Sequence, residues 1–379
     1  MVFVLGIIFA LVIGVVYLGY RLQHTSDQGD LAAAIEREVQ KATRHFECGG
    51  LVVGVYKEGK TLFKGLGSIH PDNPVAPTAD SLFQIGSVSK LFTASTLQIL
   101  CDEGVLSLDD TLDQHLGKHL PLASPVKHLT LRQLATHTAG FPSVPQALMQ
   151  KLSSKVAQQQ LMDNPYKELE LADIWAYLQN PVDLKKTGQF EYSNYGMGLL
   201  GHILEQASGQ GLADLVSAKI FQPLQMKHSG MDLNHEAPSQ IMQGYTDKGC
   251  KQAQMWTFPV LAGAGAFYSN AQDLVRFIQA NLASNTHLSL SLQKTHAPQM
   301  SGKTGLGWMQ ANALDRLVGN RHILWHNGRV GGFAAYLAFD QQQQLGVVIL
   351  SSRSGDLNML GMMLMRQLRT QSWKEPASV

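Results

Sequence analysis

Hydrophobic and polar residues follow different periods in different regions of the chain. Near the N-terminus, apolar residues recur close to helical spacing and predict an amphipathic helix over 31–46: Leu31, Ile35, Val39 and Ala42. The next two segments, LVVGVYK and TLFKGLG, are rich in strand-forming residues and flank the turn EGK. They predict a β-hairpin directly after the helix.

The middle of the chain, about 80–245, has mainly helical periodicity punctuated by Pro and Gly. Beyond it, strand-like segments return and a helix closes the pattern: GLGWMQAN, RHILWHNG, GFAAYLAFD, QLGVVILSS and then GDLNMLGMMLMRQL. The glutamine run 341–344 lies where a hairpin turn is expected. We predict an α+β fold, with an antiparallel sheet flanked on one face by the terminal helices and a mainly helical subdomain inserted beside it.

The first segment is apolar enough to be a membrane span. From Val2 to Tyr20 every residue is apolar or small, which is about the ~20 residues that a helix needs to cross a bilayer. A cleaved signal peptide is the rival interpretation, but the segment has no basic n-region and no A-x-A site. Arg21, taken alone, would place the following chain in the cytoplasm. The predicted boundaries are a transmembrane anchor over 1–22, a linker over 23–30, the main domain over 31–370 and a tail over 371–379.

Composition and charge exclude several classes. The 379 residues are 45% hydrophobic, so the chain can bury a full core. Thirty Lys and Arg oppose 29 Asp and Glu, which gives no charge excess to favour a nucleic acid partner. Cys48, Cys101 and Cys250 form an odd set without C-x-x-C spacing, and we expect three free or buried thiols. The histidines match no zinc motif, so we expect no metal and no cofactor.

The strongest chemical motif is GSVSK, where Ser87 and Lys90 stand at the start of a predicted helix. Residues three apart on a helix share a face, and a serine hydroxyl needs a nearby base to act as a nucleophile. The helix start adds free backbone N–H groups and a positive dipole. The same spacing occurs at Ser124–Lys127, which we expect to be a loop, and at Ser291–Lys294, which lacks the preceding glycine.

Two further motifs accompany S-x-x-K in serine β-lactamases and penicillin-binding proteins. The first has copies at Tyr192-Ser193-Asn194 and at Tyr268-Ser269-Asn270, where Asn270 is explained as a helix N-cap. The second has three copies: Lys303-Thr304-Gly305, His326-Asn327-Gly328 and His228-Ser229-Gly230. Only the His326 copy lies in a strand, glycine-rich turn and strand pattern; the other two are in loop-like contexts.

From about Leu31 to residue 365 the sequence resembles the serine β-lactamase-like family, which contains class C β-lactamases, low-molecular-weight DD-peptidases and related esterases. Besides the motifs above, the resemblance covers LTLRQLATHTAGFP, GVLSLDDTL, FQPLQMKHSGM, GAGAFYSNAQDLVRF and GLGWMQ, in the family's order. This order implies that 31–370 is a catalytic domain, in which KTG belongs to the glycine-tryptophan strand and HNG is the third motif.

The resemblance implies a role for each matching residue. Ser87 would be the acylated nucleophile, Lys90 would help to deprotonate it, and Tyr192 would pass a proton to the leaving group and later activate water. Asn194 would hydrogen-bond Lys90 and the substrate amide. His326, Asn327, Gly328 and Arg329 would form the substrate-binding strand, with the backbone N–H groups of Ser87 and Arg329 as the oxyanion hole. Lys90 and Tyr192 would titrate as a coupled pair.

Two departures from class C β-lactamases bear on the substrate. They have lysine where this chain has His326, and a histidine with an ordinary pKa near ~6.5 is mostly neutral at pH 7. Arg329 could supply a permanent charge instead, or face solvent. Gln146 is offset from the position of their amide-binding glutamine, and His137 in THTAG is expected to be structural.

We therefore expect a serine hydrolase, first of all a membrane-anchored DD-peptidase of carboxypeptidase or endopeptidase type on D-amino-acid-containing cell-wall peptides. A class C-like β-lactamase or serine esterase is the enzyme alternative, and an idle penicillin-binding scaffold is the alternative of another class. Expected partners are a peptide or small acyl substrate, with β-lactams as candidates, and the membrane. The resemblance outweighs Arg21 and places the catalytic domain outside the cytoplasmic membrane of a bacterium.

Overall fold

The computed structural model describes residues 30–44, 46–72, 74–155, 164–299 and 302–373. The predicted anchor 1–22 and nearly all of the linker lie outside these ranges, as does most of the tail. Within the described ranges, no helix combines the length and the apolar character needed to cross a membrane.

The centre of the molecule is a six-stranded antiparallel sheet in the order β2-β1-β10-β9-β8-β7. Its strands are β1 (Gly50–Lys57), β2 (Lys60–Gly67), β7 (Met309–Gln310), β8 (Ile323–Val330), β9 (Phe333–Asp340) and β10 (Leu345–Ser351). The predicted hairpin forms β1 and β2, and the glutamine run forms the turn between β9 and β10. Both predictions are confirmed.

The terminal helices α1 (Leu31–Thr43) and α14 (Asn358–Thr370) cover one face of the sheet. Successive side chains of a strand point to opposite faces, so Leu51, Val53 and Val55 of β1 pack with these helices, whereas Val52 packs on the other face. The apolar periodicity of α1 predicted this contact, because its buried residues fall on one side of the helix. The predicted α+β arrangement is confirmed.

The opposite face packs against the helix α11 (Ala271–Leu282) and a mainly helical region. Between β2 and β8 the described chain forms the helices α2 (Ser89–Asp102), α3 (Leu112–Leu116), α4 (Ser124–Lys127), α5 (Leu131–Ala135), α6 (Gln146–Lys155), α7 (Leu171–Gln179), α8 (Asn194–Ser208), α9 (Leu212–Val216), α10 (Ala262–Gly265), α11 (Ala271–Leu282), α12 (His287–Lys294) and α13 (Ala313–Leu317). Short strand pairs interrupt them: β3 (Phe83–Gln84) with β6 (Tyr268–Ser269), and β4 (Gly244–Tyr245) with β5 (Gln252–Ala253).

Two local predictions are wrong. The segment Ser124–Lys127 is a short helix rather than a loop, because Pro125 occupies the first turn, where its missing N–H costs nothing. Cys48 and Cys250 form a disulfide with their Cα atoms 5.9 Å apart, whereas Cys101 remains a half-buried free thiol. The two bonded cysteines are 202 residues apart in sequence, so only the tertiary fold reveals that they meet.

Candidate active site

Ser87 lies in a tight turn that joins β3 to α2. Residues Gly86–Val88 form a single 3₁₀ turn, and Gly86 has a φ of +50°, in the left-handed region that favours glycine. A Cβ on Gly86 would lie 2.8 Å from the backbone nitrogen of Arg329. The glycine therefore lets the turn that carries Ser87 approach strand β8 closely.

Lys90 lies one turn further on, at the second residue of α2, and its side chain is fully buried. Its Nζ is 2.9 Å from Ser87 Oγ and 2.6 Å from the carbonyl oxygen of Ala264 in α10. Burial holds the pKa of Lys90 well below its ordinary value. A neutral amine at this position can donate to Ala264 and use its lone pair to accept the Ser87 proton.

Tyr192 lies against the same pair of side chains. It lines the cleft together with Ser87, and Lys90 Nζ is 4.9 Å from the centre of its ring. Burial raises the pKa of Tyr192, and the neighbouring Ser87 side chain offsets only part of that shift. The phenol therefore keeps its proton at neutral pH, which makes it a proton donor in the resting site.

Strand β8 forms the opposite wall. A Cβ on Gly328 would lie 1.9 Å from the Ile85 carbonyl oxygen and 2.9 Å from the Ser87 nitrogen, so a glycine is required there. The backbone at Ser87 and the backbone at Arg329 therefore approach each other closely. The Arg329 side chain is exposed and lines the cleft.

His326 is fully buried beneath the cleft beside Lys90. Burial is the main cause that lowers the pKa of His326 to about 3, so its imidazole is neutral at pH 7. Its Nδ1 contacts the Asn327 carbonyl oxygen, and its Nε2 has no hydrogen-bond partner among the described residues. The Asn327 side chain donates to Asn358 Oδ1 at 3.0 Å.

Asn194 departs from the expected arrangement. Its Nδ2 donates to Tyr166 Oη at 2.9 Å and to Ser143 Oγ at 3.3 Å, rather than contacting Lys90. Ser193 caps α8 by accepting from the Gly196 N–H, which makes Asn194 the first helical residue. The expected Asn194–Lys90 bond is therefore absent, and the Ala264 carbonyl satisfies the amine in its place.

The cleft has a volume of about 600 Å³ and combines Ser87 and Tyr192 with Asn327, Gly328 and Arg329. Lys90 and His326 do not line it but are buried next to it, since Lys90 contacts Ser87 and His326 lies on β8 between Trp325 and Asn327. Thus five of the eight predicted residues line one cleft, Lys90 and His326 adjoin it, and Asn194 is not among its lining residues. The competing motif copies at 228–230 and 303–305 lie in loops, as predicted.

Sequence reasoning named His137 as a structural residue and missed the other neighbours that shape this cleft. His137 packs its ring 4.6 Å from that of Tyr192 and accepts from the Ser193 N–H at 3.1 Å, with a φ of +57°. Trp325 and Asp356 line the outer end of the cleft. The motif THTAG pointed to His137, but a left-handed backbone conformation has no sequence signature at a histidine. In the described part of the chain, no three His, Cys, Asp or Glu side chains converge as a metal site.

A family model described as Beta-lactamase matches residues 35–368. The chain is 26% identical over 357 residues to a β-lactamase of Pseudomonas fluorescens, covering 86% of this chain and 94% of that protein. It is also 26% identical over 325 residues to the D-alanyl-D-alanine-carboxypeptidase/endopeptidase AmpH of Escherichia coli K12, covering 80% of each.

The fold is shared with a solved β-lactamase/D-alanine carboxypeptidase from Pseudomonas syringae. The TM-score is 0.75 at 22% identity, over 89% of this chain and 98% of that one. A D-alanine carboxypeptidase from Burkholderia cenocepacia gives 0.73 at 23% identity, over 90% and 99%. At these identities the likeness concerns the fold alone.

Proposed function

This chain belongs to the β-lactamase family and is a serine hydrolase of that family, and from this premise we propose that it is a membrane-anchored DD-peptidase acting on D-amino-acid-containing peptides of the bacterial cell wall. The observation that carries the proposal is the joint placement of Ser87, Lys90 and Tyr192 at one cleft, where burial lowers the pKa of Lys90 and raises that of Tyr192. These are the groups that an acyl-serine mechanism needs.

In acylation, Ser87 Oγ bonds to the substrate carbonyl carbon while its proton passes to the Lys90 amine. The bond to the leaving amine then breaks as that nitrogen takes a proton from Tyr192, and Lys90 returns a proton to Tyr192. In deacylation, water bonds to the acyl carbon, its proton passes through the Tyr192–Lys90 pair, and Ser87 Oγ leaves with a proton. Each step thus returns the site to its starting protonation state.

The developing oxyanion needs fixed donors that face it. The N–H groups of Ser87 and Arg329 flank the space beside Ser87 Oγ because Gly86 and Gly328 let the two backbones approach. One such donor typically contributes about 3 kcal/mol to the barrier reduction. Since these donors are backbone groups, side-chain substitutions at Arg329 leave that contribution in place.

His326 offers no positive charge to a substrate carboxylate, because its buried imidazole is neutral at pH 7. A β-lactam and a peptide that ends in D-Ala both present such a carboxylate, so for either substrate the exposed Arg329 would have to hold it. The relationship to the E. coli carboxypeptidase/endopeptidase supports a peptidase. The β-lactamase alternative is supported by the P. fluorescens relative.

The location outside the cytoplasmic membrane is part of the proposal. The Cys48–Cys250 disulfide supports it, because structural disulfides persist in oxidising compartments and are rare in the cytosol. The apolar run from Val2 to Tyr20 supports an anchor. A reporter fused after residue 30 tests this: activity of a reporter that works only in the periplasm is expected, and activity of one that works only in the cytoplasm would overturn the assignment.

An idle penicillin-binding scaffold is the alternative of another class. A protein that only binds has no need of a buried lysine, since taking an amine out of water is costly. Lys90 therefore argues for chemistry.

The decisive experiment follows the acyl-enzyme by intact mass. The full chain in detergent is incubated with a fluorescent penicillin and, separately, with a peptide ending in D-Ala-D-Ala, alongside Ser87→Ala and the matched control Ser291→Ala. We expect a long-lived penicillin adduct and D-alanine release from wild type and control, and neither from Ser87→Ala. Rapid turnover of the penicillin would indicate a β-lactamase, and an adduct without any hydrolysis would indicate the scaffold.

A further inference from the structure

The residue that takes Asn194 away from Lys90 is a second buried tyrosine. Asn194 Nδ2 donates to Tyr166 Oη at 2.9 Å. Tyr166 lies in the short segment before α7 and is only 8% exposed. The reaction steps derived above give this tyrosine no part, although it holds a side chain that was expected to contact the catalytic base.

Aromatic packing fixes the position of Tyr166. Its ring stacks on that of Phe258 with the ring centres 5.0 Å apart, and the ring of Trp256 meets it edge-on at 5.7 Å. Two residues earlier in the chain, Asn164 Nδ2 donates to the carbonyl oxygen and to the hydroxyl of Thr257, at 3.2 and 3.1 Å. The segment that contains Tyr166 is therefore held at two points, and its hydroxyl keeps a defined place.

Asn194 begins α8 close to Lys90. The ring centre of Tyr192, two residues before Asn194, is 4.9 Å from Lys90 Nζ. The first turns of α8 also pack closely on α10, whose carbonyl oxygen accepts from the same amine. The Asn194 amide therefore lies near enough to Lys90 for the hydrogen bond to Tyr166 to compete with one to the base.

Lys90 has one hydrogen-bond donor too many for its surroundings when it is charged. An ammonium has three N–H donors, and the described residues offer Lys90 two oxygen acceptors: Ser87 Oγ at 2.9 Å and the Ala264 carbonyl at 2.6 Å. The amide oxygen of Asn194 is the kind of group that would satisfy the third donor. Because hydrogen bonds to the charged form favour that form, such a contact would stabilise the ammonium.

The titratable groups packed around Lys90 are themselves uncharged near neutral pH. They come from three elements: Tyr192 before α8, His137 after α5 and His326 on β8. Burial raises the pKa of Tyr192, and it lowers the pKa of each histidine, that of His326 to about 3. In the part of the chain that the structure describes, no carboxylate contacts Lys90. The hydrogen-bond partners of Lys90 therefore decide how readily it takes a proton.

We propose that Tyr166 is a positioning residue: by holding the Asn194 amide, it withholds an acceptor from Lys90 and so keeps the base free to accept the Ser87 proton. Tyr166 acts through Asn194 and does not touch the reacting atoms. The inference concerns the base of the acyl-serine reaction, so it rests on the proposed function and deepens it by naming what sets the pH range in which the site works.

The charge of Lys90 can be measured without turnover. The full chain in detergent, with ¹³C at the ε-carbons of its lysines, is titrated from pH 5 to pH 10, and the resonance missing from Lys90→Met is assigned to Lys90. We expect the midpoint of this titration to be about one pH unit higher in Tyr166→Phe than in wild type, which is about what one hydrogen bond to a charged group contributes. Equal midpoints in a folded Tyr166→Phe would overturn the proposal.

Further variants test whether Asn194 transmits the effect. Adding Asn194→Ala to Tyr166→Phe should return the midpoint to that of wild type, because the released amide is then missing. Tyr177→Phe, which also removes a buried hydroxyl that donates to a carboxylate, should leave the midpoint unchanged. Ser143→Ala removes the longer contact of the amide, at 3.3 Å, and should raise the midpoint by a smaller amount; it decides if Tyr166→Phe does not fold. A shift that persists in the double variant would contradict the proposal.

A kinetic arm separates this inference from the proposed function. Formation of the Ser87 adduct with a fluorescent penicillin and release of D-alanine from a D-Ala-D-Ala peptide are followed from pH 5 to pH 9. The acid limb of each profile should lie about one pH unit higher in Tyr166→Phe, which makes this variant about tenfold slower than wild type below both midpoints. A shifted Lys90 midpoint without D-alanine release would reject the peptidase and keep the positioning role. D-alanine release with equal acid limbs would reject the positioning role and keep the peptidase.

Discussion

Tyr192-Ser193-Asn194 and Tyr268-Ser269-Asn270 share a sequence and a position before a helix, but their side chains have different surroundings. In the first copy Ser193 caps α8, which leaves Asn194 inside the helix and Tyr192 facing Ser87. In the second copy Asn270 itself caps α11, and the Tyr268 hydroxyl contacts Glu236 at 3.1 Å. A shift of one residue in the cap therefore separates an active-site motif from a structural one.

Two of the Ser-x-x-Lys pairs, Ser87–Lys90 and Ser291–Lys294, differ in the same way. Ser87 and Lys90 contact each other inside the molecule. Ser291 and Lys294 instead both bind Asp102, at 2.6 and 2.7 Å, near the end of the helix that carries Lys90. The same spacing thus gives two different results. Ser87 and Lys90 are buried together and contact each other, whereas Asp102 lies between Ser291 and Lys294 and binds both.

The largest expected difference lies between the two serines. Ser87→Ala should lower hydrolysis by about a thousandfold or more, because the nucleophile is lost. Ser291→Ala should leave hydrolysis within about twofold and cost roughly 1 kcal/mol of unfolding free energy for its hydrogen bond to Asp102. Initial rates and urea unfolding measure the two effects. Comparable rates for both variants would refute the assignment of the nucleophile.

Substitution of the two tyrosines should have almost as different effects on turnover. Tyr192→Phe removes a proton donor and should slow turnover by about 10²- to 10⁴-fold. Tyr268→Phe should lose only hydrogen bonds to Glu236 and the Asp232 backbone, at about 1 kcal/mol of stability. Steady-state kinetics measures the turnover of both variants, and thermal unfolding checks that each variant is folded. If Tyr192→Phe also leaves the alkaline limb of the pH–rate profile unchanged, Lys90 and Tyr192 do not titrate together.

Lys90 should make stability depend on pH. Burial lowers its folded pKa, so unfolding takes up a proton at any pH between that pKa and the ordinary lysine value. Wild type should therefore gain roughly 1 kcal/mol per pH unit over Lys90→Met as pH rises through this window. Urea unfolding from pH 6 to 9.5 measures the slope, with Lys294→Met as the matched control. If the unfolding free energy of Lys90→Met and that of Lys294→Met change equally with pH, Lys90 is not neutral in the folded protein.

The smallest contrast concerns the two asparagines. Asn270→Ala removes the N-cap of α11 and should cost about 0.5–2 kcal/mol of unfolding free energy without slowing hydrolysis. Asn194→Ala removes no cap but loses the hydrogen bond to Tyr166, so it should cost about 0.5–1 kcal/mol of unfolding free energy. Chemical denaturation and Michaelis parameters separate the two. A larger stability loss at Asn194 than at Asn270 would contradict the assignment of the caps.

The sequence predicted the parts of the molecule that local patterns encode. Apolar periodicity located α1, and alternating strand segments with glycine turns located β1, β2 and the β8–β10 meander. The order of the motifs predicted Ser87, Lys90 and the strand of His326. These features require particular residue types at fixed spacing: a glycine in the tight turn, a lysine three residues after the serine and a glycine on the strand.

Contacts between distant segments left no such trace. Cys48 and Cys250 are paired by the packing of two loops, and nothing in their spacing indicates it. The partner of Asn194 depends on Tyr166, which arrives from another segment. The groove lined by Trp325 and Tyr336 arises where α13, the strands β8 and β9, and α14 meet. Such features depend on tertiary geometry, which residue spacing along one chain does not determine.

The position of β1 in the sheet affects the order in which the chain can fold. Its inner neighbour is β10, so strands from opposite ends of the sequence pair at the centre of the sheet. A nascent chain of about 300 residues would already contain Ser87, Lys90 and Tyr192, but not the strand that carries Gly328 and Arg329. Hydrolysis therefore requires the last sixth of the polypeptide to be synthesised, and a chain truncated before β8 would expose an unpaired β1 edge to aggregation.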